Sequence, residues 1–403
     1  MLSYIRLPLL FFFLASLFGI FLRWQFVWPT PGITYAYFLH GHSHTMFLGW
    51  VFNVLYIAYT ITYIQPVDQK IFKILFVLAQ LLVVAMMISF PIQGYGTYSI
   101  IFSTLHTFVA LSFVILFLKK TASLSSTSVW FARVSLIFFF ISTAGPFSLG
   151  YIMANGLGQS QWYYFSIYYY LHFQYNGFFM FGVFSIFFHL LDTKQIHYDI
   201  QKAKSIGRWM AIACVPAYFL SVLWARPGLG YNLIAGLAGL IQLYVLASLI
   251  AFIMKLQMTQ HFSRPSYPLL VTALLAFSIK TILQFLSAFP SVAALAYELK
   301  PIVIAYLHLI LIGVITALLL VWYIEKEFLY HKALPGVIAT FLIGFIGSEI
   351  TLVLQPWWSS FLPDIRVTPS QIIFLFSAIL SVCCFLFLYT CKTEIPDKNQ
   401  KPI

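Results

Sequence analysis

Of the 403 residues, 62% are hydrophobic and only 8% are charged, and the mean hydropathy is +0.92. A chain of this make-up cannot cover itself with an ordinary polar surface, which excludes a soluble globular domain and predicts a polytopic membrane protein. The net charge of +12 does not mark a nucleic-acid binder, because the basic residues fall in alternate loops between apolar runs.

Runs long enough to cross a hydrocarbon core of about 30 Å fall at 5–27, 37–64, 71–92, 98–118, 128–153, 162–191, 205–224, 231–256, 267–289, 299–324, 333–355 and 370–391. They predict an all-α protein of twelve transmembrane helices in three pseudo-equivalent four-helix arcs. These form a single transmembrane domain over 1–403, with approximate repeats 1–126, 127–260 and 261–403. Residues 7–22 after Arg6 have the length of a signal peptide. No small-x-small cleavage site follows and Arg23 closes the run, so it is read as the first span. The breaks carry turn chemistry, as in Pro29-Thr30-Pro31-Gly32, Asn155-Gly156-Leu157-Gly158 and Leu362-Pro363-Asp364. Seventeen of the 22 Lys and Arg residues lie at the N-terminus, in the loops after spans 2, 4, 6, 8 and 10, or at the C-terminus. Four, Arg23, Arg226, Lys300 and Arg366, lie on the opposite face. This bias predicts an inner-membrane protein with both termini cytoplasmic.

Three histidines fall within five residues of span 2, at His40, His42 and His44. The tripeptide Phe38-Leu39-His40 returns as Tyr170-Leu171-His172 and Tyr306-Leu307-His308, at intervals of 172 − 40 = 132 and 308 − 172 = 136 residues. One third of the chain is about 134 residues, so the spacing reads as three copies of one unit. With even-numbered spans starting outside, these histidines and His106 lie roughly 5–15 Å below the outer surface at 1.5 Å per residue. An imidazole in lipid needs a hydrogen-bond partner or a metal. Four residues apart, His40 and His44 share a helix face, whereas His42 points about 200° away from His40. One span can therefore serve two sites. His42 or His44 is expected to hold a heme iron with His308 as axial partner, and His40, His44 and His172 are the candidate ligands of a second metal.

Twelve spans in three arcs with histidines at the outer ends of spans 2, 6 and 10 resemble the catalytic subunit of the heme-copper oxidase superfamily. The stretch His42-Ser43-His44-Thr45-Met46-Phe47-Leu48-Gly49 also resembles the H-x-H-x-M-x-x-G stretch of the NnrS family, membrane proteins with heme and copper linked to nitric oxide stress. Leu171-His172-Phe173-Gln174-Tyr175 and Leu307-His308 followed by Gly313 are similar to later stretches of that family. The resemblance implies noncovalent b-type heme, copper as a second metal, an electron donor protein or a quinone as partner, and electron transfer or the handling of a small gas such as nitric oxide. It also nominates Arg366 to neutralise a heme propionate. The departures are as informative. Span 7 contains no histidine, and span 10 offers His308 alone. The ligand set of an oxygen-reducing centre is therefore incomplete, which leaves open whether the protein is an enzyme and makes a divergent terminal oxidase or nitric oxide reductase subunit the alternative.

Four cysteines form neither C-x-x-C nor C-x-x-C-H, so a thiolate zinc site and covalent heme attachment are not expected. Lys280 in span 9 and Glu349 in span 11 fall at similar depths, and an isolated charge there is costly. They are expected to pair with each other or with a bound group, or Lys280 is expected to be neutral. A proton-coupled secondary transporter, using these two and the histidines as relays, is the remaining alternative.

Overall fold

The computed structural model describes residues 1–158, 160–225, 228–362 and 366–392. Among them the chain is helical throughout, and a lone antiparallel bridge between Leu329 and Cys391 is the only β pairing. Eleven helices are long and apolar enough to cross a membrane: Leu2–Val27, Tyr35–Tyr63, Pro66–Gln93, Thr97–Lys120, Thr127–Ala154, Gln161–Thr193, Leu229–Met254, Ser266–Leu286, Lys300–Glu325, Leu334–Phe361 and Pro369–Thr390. Each matches a run predicted from sequence.

The predicted span at 205–224 differs. An α-helix runs from Ile200 to Cys214 and then tightens into 3-10 turns over Pro216–Ser221 and Leu223–Ala225. Pro216 is the cause, since it has no N–H to give and its ring collides with the carbonyl one turn back. The backbone N–H of Tyr218 turns to Val215 O at 3.2 Å, so the Cys214 carbonyl loses its helical partner. The stretch ends with Trp224 packed on Tyr164 and Phe165, near the start of helix Gln161–Thr193.

The chain divides into two compact units, one of Met1–Ala122, Ser263–Ser266 and Leu319–Ile403, the other of Ser123–Phe262 and Tyr267–Leu318. In the first, helix Arg6–Val27 packs on Pro369–Thr390 and on Tyr35–His44, and Gln69–Gln93 packs on Tyr35–His44 and Thr97–Lys120. In the second, Thr127–Ser142 packs on Met180–Thr193, and Leu229–Met254 packs on Ile200–Cys214. The most apolar windows of Tyr35–Tyr63 and Gln161–Thr193 are 89% and 83% buried, against 28–50% in the other spans, so these two are the central helices.

Three of the spans share a local structure. Each begins as an α-helix that ends at a histidine and continues as a π-helix of seven or eight residues. The segments are Tyr35–His44 then Thr45–Phe52, Gln161–His172 then Phe173–Phe179, and Lys300–His308 then Leu309–Thr316. A glycine follows each histidine by five residues, at Gly49, Gly177 and Gly313. A Cβ on Gly49 would lie 2.8 Å from Phe11, and one on Gly177 would lie 2.6 Å from Phe138, both on the preceding span. The glycines let these neighbours close in. The structure thus sets His44, not His40, in register with His172 and His308, one helical turn along from the tripeptide echo.

Candidate functional site

Two polar clusters stand in apolar surroundings, one in each unit. In the first unit the three span-2 histidines divide by face as helical periodicity requires. His42 Nδ1 donates to Ala15 O at 2.8 Å on the preceding span, and its ring lies over Gly19, where a Cβ would come within 3.3 Å. His44 Nδ1 donates to His40 O at 3.0 Å, one turn back. The His44 ring is stacked on Phe90, with centroids 4.2 Å apart, and the His40 ring meets the edge of Tyr95 at 4.5 Å.

His106 is 1% exposed and packs edge-on against Phe52 at 5.4 Å, and its Nε2 has no hydrogen-bond partner. Toward the end of helix Leu2–Val27, Arg23 lies within electrostatic reach of both Tyr35 and Glu349. The sequence matched Glu349 with Lys280 or a bound group by depth; within the first unit Glu349 has Arg23, at the end of the first span, among its charged neighbours, and Lys280 belongs to the second unit. Arg366 is exposed in the segment between Phe361 and Pro369. Arg226 lies outside the described residues.

The second cluster centres on His172, which is fully buried. Its Nε2 donates to the Cys214 carbonyl at 2.8 Å, the group released by the break at Pro216. Nδ1 is then the acceptor, taking a hydrogen bond from Asn176 Nδ2 at 3.2 Å, with Ser221 Oγ at 3.5 Å. Both ring nitrogens are therefore engaged. Lys280 is 4% exposed and stands over the Phe277 ring at 5.7 Å. It shares a cavity with Asn176, Cys214, Gln242 and Thr281. Asn176 Oδ1 and Gln242 Oε1 are buried without partners. His308, half-buried, closes the helix Lys300–His308.

Among the described residues, no three His, Cys, Asp or Glu side chains gather closely enough to hold a metal ion. A cavity of about 290 Å³ is lined by apolar residues such as Phe184, Phe187, Leu270 and Phe277, and no histidine, lysine or carboxylate borders it. Size alone does not mark the chemistry here.

Sequence reasoning singled out the histidines and Lys280 but passed over Asn176 and Gln242, because it weighed only ionisable groups. A buried amide in a membrane run is itself a signal, since each unmet hydrogen bond is costly where water is absent. The backbone carbonyl of Cys214 was beyond reach, although Pro216 inside an apolar run announced a freed carbonyl nearby. Set against known proteins, the chain matches no family model and no curated protein.

Proposed function

We propose that the protein is an integral membrane hemoprotein built from three four-helix repeats, binding b-type heme noncovalently for electron transfer or for handling a small gas such as nitric oxide. The carrying observation is the protonation of the span-2 histidines. His44 commits its Nδ1 proton to a backbone carbonyl, as does His42. Nε2 is then the lone-pair nitrogen in both, and a ring held by its other N–H is how metal-binding histidines are oriented. His44 fits an axial ligand to heme iron, with His42 as the alternative on the same span. Heme bound there would supply a one-electron redox centre or, with His308 displaced, an open position for a diatomic ligand.

The chain's own contribution is rigidity and dryness: Phe90 backs the His44 ring, Tyr95 closes on His40, and the Thr45–Phe52 segment is buried almost throughout. The resemblance assigns His308 as the second ligand and Arg366 to a propionate, and both assignments travel with the proposal. The copper site does not. His172 has both nitrogens hydrogen-bonded, which leaves it no lone pair to give.

The repeat reading rests on the histidine, π-helix and Gly arrangement that recurs three times. It is also supported by parity. Lys194, after helix Gln161–Thr193, stands over the ring of Phe262, which follows helix Leu229–Met254, so both lie at one end of the second unit. One full-length helix between them cannot return the chain to the same side. We therefore take the broken stretch from Ile200 to Ala225 as the other crossing, for a count of twelve.

The test is a visible spectrum of purified full-length protein from heme-supplied cells, oxidised and then reduced, with heme measured against protein. A Soret band is expected, lost in the His44→Leu or His42→Leu variant. Protein that carries no heme would end the proposal. If heme survives both single variants and their combination, the ligand assignment fails.

One observation favours a second reading, a proton-coupled transporter. A discontinuous helix with a freed carbonyl beside buried amides and a buried lysine is how midplane sites of transporters are built. Under that reading Lys280→Met abolishes proton flux in proteoliposomes, whereas the hemoprotein reading expects no such flux and full heme content.

A further inference from the structure

The cavity around Lys280 has a volume of about 20 Å³ and is lined by Asn176, Met180, Met210, Cys214, Gln242, Val245, Phe277, Lys280 and Thr281. A water molecule needs about 10–15 Å³ of such space and two to four polar partners. Two unmet acceptors belong to residues that line it, Asn176 Oδ1 and Gln242 Oε1, which find no donor among the described residues, and the Lys280 ammonium group, on a residue only 4% exposed, lines the same space. The direction of Asn176 is fixed from behind. His172 spends its Nε2 proton on Cys214 O, so its Nδ1 can only accept, and Asn176 must offer Nδ2 to it. That leaves Oδ1 as the atom with an unmet bond.

We propose that this cavity is a built site for a single water molecule, which accepts from Lys280 Nζ, donates to Asn176 Oδ1 and Gln242 Oε1, and so joins Lys280 to His172 in one hydrogen-bonded chain. One donor and two acceptors are what a water molecule complements, since it has lone pairs for the first and two protons for the others. A halide does not fit, because two amide oxygens turn their negative ends toward it. A metal cation does not fit beside an ammonium group. The site stands apart from the heme reading, because none of the groups around the water belongs to span 2.

Consequences follow for His172. Its tautomer is set from both sides, by the Cys214 carbonyl and by an amide whose orientation the water holds. Lys280 in turn gains a polar neighbour.

Hydroxyl-radical labelling in ¹⁸O-water reads the site directly, because a methionine beside a trapped water is oxidised even when bulk solvent cannot reach it. Met180 lines the cavity, and Met86 lies far along the chain in the other unit; each is 1% exposed. On the full-length protein in nanodiscs, Met180 is expected to take up label severalfold faster than Met86. In the Lys280→Met, Gln242→Leu double variant the Met180 rate should fall to that of Met86. The idea is overturned if the two methionines label equally in the unmodified chain, or if a monodisperse double variant keeps the fast rate. Where the double variant does not fold, Gln242→Leu alone is read: a severalfold fall supports the site, and an unchanged rate removes it.

Discussion

A neutral imidazole carries one proton and one lone pair, and which nitrogen holds which decides what the residue can do. His44 spends the Nδ1 proton on a carbonyl and keeps the outer nitrogen for a ligand, and His42 likewise gives its Nδ1 proton to a carbonyl. His172 spends the Nε2 proton on Cys214 O and fills Nδ1 with Asn176, so it acts as a strut. His172→Leu should strand a carbonyl and an amide in a dry interior, at a cost of roughly 2 kcal/mol. Unfolding in mixed detergent measures this, and a loss well under half of that figure would assign His172 no structural part. The opposite kind of site lies beyond the last span. Burial pushes the Cys391 thiol up to about 12, against a smaller pull from Arg6. The folded chain thus keeps this proton when the unfolded chain begins to lose it near pH 9, so below that pH the group has no effect. Above it, stability should fall as pH rises. Cys391→Ser should flatten the alkaline limb of the stability profile, and an unchanged limb would show that the thiol is not the group responsible.

At the scale of elements, the recurring motif is a histidine, a π-helical stretch and a glycine, which at Gly49 and Gly177 is pressed against the previous helix. The glycine is the part most easily broken. A methyl at position 177 would sit 2.6 Å from the Cβ of Phe138, which cannot swing aside because that atom is fixed to the backbone. Overpacking of this kind costs about 1–3 kcal/mol, so Gly177→Ala and Gly49→Ala should both destabilise. Gly150→Ala, where nothing lies within 4 Å, should be neutral or slightly stabilising. Equal effects at all three positions would deny the close approach any role. The helices themselves were legible because apolar runs have the length of a bilayer, and eleven of them lie where hydropathy puts them. The break at Pro216 was not, since a proline in an apolar run leaves hydropathy high while it removes a hydrogen bond. The face split of His40, His42 and His44 followed from helical periodicity alone. The choice of His44 as the repeat position needed the π-helix, which has no signature in composition. The pairing of Lys280 with Glu349 was argued from depth, and depth says nothing about which side of a helix a residue faces.

At the scale of the molecule, the remaining question is which end faces the cytoplasm, and hydrogen bonds bear on it as well as charge. Within the first unit, Lys120 is 2.8 Å from Asp68, Arg6 reaches Leu388 O at 3.3 Å, and Lys392 N donates to Phe328 O at 2.8 Å. Within the second, Ser128 reaches Asp192 at 3.4 Å and Lys194 stands over Phe262. Every one of these contacts joins segments that the sequence put on the basic face, so in each unit the basic segments are gathered at one end. The exposed pair between Lys120 and Asp68 is worth at most about 1 kcal/mol and does not hold the ends together; it reports where they are. The positive-inside rule predicts that the basic end of each unit faces the cytoplasm. The four native cysteines are buried, so an added thiol is read against a quiet background. Ser125→Cys, exposed in the loop before helix Thr127–Ala154, should react with an impermeant maleimide only in inside-out vesicles. Thr30→Cys, exposed in the turn after Leu2–Val27, should react only in right-side-out cells. Labelling of both from one side would break the crossing parity on which the three-repeat reading stands, and a clean reversal of the two would leave the parity intact while turning the protein over.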